Sequence, residues 1–171
     1  MRVVDTKVVA VLERTNGEIE VHETKNIVTN DGDVFYAQRA TGATPTNFWN
    51  VTVFDGNMFL STTAATPTKA DTFATISANI VNGTGQVISA PYPKANDTDS
   101  DNSGKGANVV TYACTFSTGL GPYTNVADVS IAKSGASGSA PLLMRAKFAS
   151  TFTKATTDTL KIFVNHTMTG T

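Results

Sequence analysis

Asp97-Thr98-Asp99-Ser100-Asp101 sets three carboxylates at alternate positions, the opening spacing of a calcium loop. A hard divalent cation takes about six to eight oxygens, which such a loop supplies from carboxylates and main-chain carbonyls. An EF-hand would carry Gly at the sixth place and Glu at the twelfth; here those places hold Asn102 and Asn108. Asp97, Asp99 and Asp101 are thus the nearest approach to a metal-ligand set, and the run reads more simply as a solvated acidic loop. No cofactor or metal is expected.

Other reactive side chains are sparse. His22 and His166 are the only histidines, and neither belongs to a zinc-binding spacing such as His-Glu-x-x-His. Glu13, Glu18, Glu20 and Glu23 crowd one early segment. Paired carboxylates serve glycoside hydrolysis, but alternating acids along a strand ordinarily form its wet face. Ser134 and Ser137 lie in a Gly/Ser linker, and no Gly-x-Ser-x-Gly elbow is present. Gly104-Lys105-Gly106 lacks the spacing of a phosphate-binding loop. Cys114 is the single cysteine, which excludes an intramolecular disulfide and a cysteine-cluster metal site. It shares a face with Tyr112 and Phe116 and reads as a small buried apolar side chain. No catalytic set assembles, and an enzyme is not expected.

Aromatic residues offer a different chemistry. Phe48, Trp49, Tyr92 and Tyr123 have the flat amphipathic surfaces that stack on sugars or fill an interface. Trp49 sits in an alternating run, so core packing is the simpler role. Tyr92 lies between Pro91 and Pro93, in a segment expected to be extended and exposed, where it would anchor a neighbouring subunit.

The elements that must position these residues are mostly strands. Residues 8–14 and 18–28 read as a hairpin joined by Thr15-Asn16-Gly17. A three-residue loop with Gly17 left-handed sets Arg14 opposite Glu18 and Val11 opposite Val21. A two-residue loop would oppose Glu13 to Glu20, a like-charge pair, so the longer loop is preferred. Residues 31–40 are the best helix, capped by Asn30 or Asp31 and ended by Gly42, with Val34 and Ala37, joined by Phe35 and Gln38, turned inward. A second helical turn is expected to begin at Pro67-Thr68-Lys69-Ala70-Asp71. Further strands are expected over 48–54, 76–81, 86–89, 109–117, 126–132, 142–148 and 159–168, with 91–106 as the clearest loop and 133–140 as a hairpin tip. The last strand keeps a strict period of two: Leu160, Ile162, Val164 and Met168 share one face.

A chain of 171 residues with 16% charged residues, many of the rest turn-forming or β-branched, suits one all-β domain, an antiparallel β-sandwich or jelly roll with one short helix. The net charge of −1 provides no basic stripe, so direct nucleic-acid binding is not expected. No run is apolar and long enough to span a bilayer, and the chain reads as soluble and made in a cytoplasm.

The order of several short motifs resembles that of small β-rich structural proteins of tailed-bacteriophage virions. Asn26-Ile27-Val28-Thr29-Asn30 closes the first hairpin before the helix, and a Thr/Ala/Pro/Asp segment covers 62–72. Arg145-Ala146-Lys147-Phe148 then precedes Thr156-Thr157-Asp158-Thr159-Leu160. The chain departs from that pattern after Phe54, where Asp55-Gly56-Asn57 runs on into Met58-Phe59-Leu60, and over a longer 81–106 insertion. The resemblance implies a virion location and a non-enzymatic role as a capsid decoration, or cement, protein. Its partners would be the major capsid protein and other virion proteins, and it would form a homo-oligomer, a trimer among the forms such proteins take. Met1, Val3 and Val4, together with 91–106, are the segments expected to reach onto neighbours, with Tyr92 and Tyr123 as interface aromatics. A tail, neck or baseplate component is the alternative within a virion. A carbohydrate-binding module using Trp49, Tyr92 and Tyr123 is the alternative outside one.

Overall fold

The computed structural model describes residues 2–45, 54–88 and 90–169. The first strands are β1 (Arg2–Glu13), β2 (Ile19–Thr24) and β3 (Asn26–Val28), followed by helix α1 (Asn30–Ala40). Strand β4 (Gly56–Ser61), helix α2 (Phe73–Ser77) and the short β5 (Gln86–Val87) and β6 (Lys94–Ala95) come next. The chain ends on β7 (Val109–Phe116), β8 (Tyr123–Lys133), β9 (Leu142–Lys154) and β10 (Thr159–Thr169). One sheet has the order β2-β1-β10-β7-β6 and the other β3-β9-β8-β4-β5, all neighbours antiparallel. The chain is an all-β sandwich, as its periodicity predicts.

The first hairpin has the three-residue loop. Val11 pairs with Val21, Arg14 N donates to Glu18 O at 2.8 Å, and Gly17 closes the turn at φ +82°. That positive φ is cheap only for glycine. At Lys25 the chain leaves the first sheet, and Asn26–Val28 joins the second by pairing with β9.

Between the sheets lie Val8, Ala10 and Leu12 of β1, Leu160, Ile162 and Val164 of β10, and Met58, Leu60, Val129, Ile131 and Met144 of the facing sheet. Each fully buried aliphatic side chain contributes roughly 1.5–3 kcal/mol by leaving water. Phe35 and Tyr36 of α1 enter this core, whereas Val34 and Ala37 face solvent, which corrects the expected inward stripe. Thr29, not Asn30 or Asp31, caps the helix by accepting from Gly32 N at 3.1 Å. Gly32 is required there: a Cβ would strike the Leu143 carbonyl oxygen.

Residues 76–81 are not a strand. Phe73–Ser77 is helical, and only Ile80 makes a bridge, to Ser61. Short apolar runs do not by themselves distinguish the two states. The helical turn also starts later than expected, after Thr72. The expected strand over 48–54, with Trp49 and Phe48, lies almost wholly outside the described residues; the strand in this region is β4.

Both outer faces are covered. Phe59, Ala132 and Leu142 of the second sheet pack under Phe73 and Ile76 of α2. Val9, Val11, Ala113 and Phe163 on the first sheet form a separate cluster against Tyr92.

Candidate functional site

Among the described residues, three polar clusters and the exposed edge of β2 carry the main functional potential. The first cluster holds 91–106 onto the outer face of the β2-β1-β10-β7-β6 sheet. Asn102, fully buried, makes a reciprocal amide pair with Asn165 of β10, each Nδ2 donating to the other's Oδ1 at 2.9 Å. Its Nδ2 also donates to Asp97 Oδ2 at 2.9 Å, and Thr111 of β7 donates to Asn165 at 2.8 Å. Further along, Lys161 meets Asp101 at 2.6 Å and Ser103 donates to Glu23 of β2 at 2.5 Å. The loop therefore crosses the sheet from β7 to β2. It is docked on its own chain.

The acidic run is consumed by this docking. Asp97 bonds Lys94 at 2.8 Å and receives the Tyr92 hydroxyl at 3.1 Å. Burial alone would raise Asp97, but Lys94, Asn102, the Asp99 amide and Tyr92 outweigh it and hold it at about 2. Asp99 accepts from the Asp101 amide at 3.0 Å, and Asp101 turns to Lys161. Among the described residues no three His, Cys, Asp or Glu side chains are grouped to hold a metal ion.

A second cluster pins 62–72 onto the other outer face. Arg145 of β9, fully buried, gives Nε to Asp128 of β8 and Nη1 to Asp71, both at 2.7 Å, and Nη2 to the Ala65 carbonyl at 2.9 Å. One cation thus serves two carboxylates. Burial, reinforced by the Asp71 charge, pushes Asp128 up to about 7 against the pull of Arg145 and Ser61. Asp71 is also raised by burial, but Thr68 and Arg145 carry it below the ordinary carboxylate range.

The third cluster lies inside the sandwich. His166 Nδ1 is 2.5 Å from the Tyr36 hydroxyl, which is 2.8 Å from that of Tyr112, and Nε2 is 2.6 Å from Asn26 Nδ2. Burial drives the imidazole down to about 3, so it is neutral. His22 does not join this group; it stacks on Phe152 at 4.4 Å, with Glu20 Oε1 2.7 Å away. Glu20 also bonds Arg14 at 2.6 Å, and Glu23 bonds Lys7 at 2.9 Å. Glu13 and Glu18 are solvated. The two histidines and four glutamates do not converge.

Tyr92 is half-buried, its ring on the outer cluster and beside Lys94. Tyr123 is 7% exposed, packed edge-on to Phe116 and under Lys154 Nζ, and so belongs to the core of the isolated chain. Val3 is half-buried and pairs with Met168; Val4, half exposed, occupies the irregularity between Val3 and Asp5. The segment from Arg2 onward is thus a strand, not a free arm. Met1 lies outside the described residues. A cleft of about 230 Å³ beside Tyr92 is lined by Val87, Ala113, Cys114, Lys161 and Phe163. Burial raises the Cys114 thiol to about 12, and its Sγ lies 3.1 Å from the Val87 carbonyl oxygen, so it is not primed as a nucleophile.

The bare edge is β2. Ile19 is 64% and Val21 53% exposed, with Glu23 on the same face. Sequence reasoning found the strand but gave this edge no role; the signal was two β-branched residues on a face otherwise read as wet. Comparison with protein-family models, curated proteins and solved structures finds no match to this chain.

Proposed function

We propose that this chain is a non-enzymatic structural component of a tailed-phage particle, acting as a capsid decoration protein that binds across neighbouring shell subunits. The observation that supports this reading best is the unequal treatment of polar groups. Arg145, His166, Asn102 and Asp97 are buried and spent on holding the chain's own covers and core. Apolar and main-chain bonding capacity is left outside instead, at β2. Such a molecule does its work through surface contacts, which symmetry multiplies into useful strength. The order of motifs in the sequence points to the virion as the setting.

The test is the copy number of the chain in purified particles of the virus whose genome carries its gene, measured by quantitative mass spectrometry against the major shell protein. Near parity is the expected result. A ratio far below it moves the protein to the tail or neck, and absence overturns the reading.

A further inference from the structure

The alternation of the first hairpin fixes which way each β2 peptide points. Arg14 N donates to Glu18 O, so Glu18, Glu20, His22 and Thr24 direct their main-chain groups at β1. Ile19, Val21 and Glu23 direct theirs away from it, and among the described residues no strand lies beyond β2 in its sheet. The edge is lightly protected: its six residues include no proline, lysine or glycine, no bulge interrupts its pairing with β1, and its two charges are paired within the chain, Glu20 with Arg14 and Glu23 with Lys7. The other sheet edges, β3, β5 and β6, are three, two and two residues long.

We propose that β2 pairs antiparallel with β2 of a second copy about a two-fold axis at Val21, joining two five-stranded sheets into one. This register sets Val21 against its own copy, Ile19 against Glu23 and Glu20 against His22 of the second chain. Every outward N–H and C=O of Ile19, Val21 and Glu23 then meets a partner, and the exposed aliphatics sit at the axis. An axis at Glu20 would oppose two carboxylates, and one at His22 would set Ile19 against Lys25; both are poorer. The second copy is favoured over heterologous pairing because this register is self-complementary: Val21 meets Val21 and Glu20 meets His22. The inference shares the β2 edge with the particle proposal but is tested on the purified chain alone, so either can fail without the other.

Light scattering on the eluted peak measures the mass directly, at roughly 0.2 mM chain, because an interface of this size binds weakly. The expected mass is twice the 18.0 kDa of one chain. Val21→Lys and Val21→Glu should each give a single-chain mass, by placing like charges at the axis. Their equimolar mixture should recover the double mass, which a merely misfolded variant could not do. A single-chain or three-chain mass for the wild type overturns the proposal. So does a double mass for either variant alone, or a mixture that stays single.

Discussion

The two sheets of this sandwich face the same problem and solve it with different chemistry. Each outer face is covered by a long excursion of chain, 62–72 with α2 on one side and 91–106 on the other. The first is pinned by a buried arginine between two carboxylates, the second by a reciprocal asparagine pair with one carboxylate at its rim. An ionic pin must overcome a large desolvation cost, so losing one member leaves a charge stranded. An amide pin involves less desolvation and forfeits less when cut. The two covers are therefore unequal in strength, although both are sealed.

The largest effect should come from Arg145→Ala, which strands Asp128 and Asp71. A loss of about 3–5 kcal/mol is expected, read as a melting temperature lower by roughly 6–20 °C. Asn102→Ala should cost about 1–3 kcal/mol. Its loss should be local: hydrogen exchange should rise across 91–106 and leave 62–72 unchanged, whereas a rise in both would erase the distinction.

Acid should separate the pins further. Asp97, held at about 2 against an ordinary 3.8, adds stability above pH 4 that disappears as pH falls towards 2. Asp128, raised to about 7, acts with the opposite sign. Between pH 7 and 4 the folded chain takes up a proton there that the unfolded chain does not, so stability rises as pH falls. Urea midpoints across pH should show Asp128→Asn losing that gain between 7 and 4, and Asp97→Asn flattening only the limb below 4. Identical profiles for both variants would contradict the assignment. The smallest effect on stability belongs to Val21→Lys, within about 0.5 kcal/mol on an exposed edge, even though it should alter assembly.

Much of this fold is legible in the chain because strand alternation and turn chemistry are local. Gly17 and the like-charge penalty on Glu13 and Glu20 suffice for the hairpin register, and Leu160, Ile162 and Val164 declare the inner face of β10. The pins are not local. Arg145 meets Asp128 across a hairpin and Asp71 from a different excursion, so no window contains them together. The one hint was a charged residue inside the apolar run Leu142-Leu143-Met144-Arg145-Ala146. The acidic run at 97–101 misled in the other direction: Asp97 is buried against its near neighbours Lys94 and Asn102, and Asp101 pairs with Lys161 of β10, so the run is not the solvated loop its composition suggests. On helix α1 Phe35 enters the core as expected, joined by its sequence neighbour Tyr36, while Val34 and Ala37 face solvent.

The central claim is that this molecule works by contact and not by turnover. Particles from which the gene has been deleted, mixed with the purified chain and sedimented, test it directly. The account predicts saturable binding that restores the wild-type copy number, at a plateau unchanged when the wholly buried His166 is replaced by Gln in a variant that still folds. Failure to bind such particles at any concentration would contradict it.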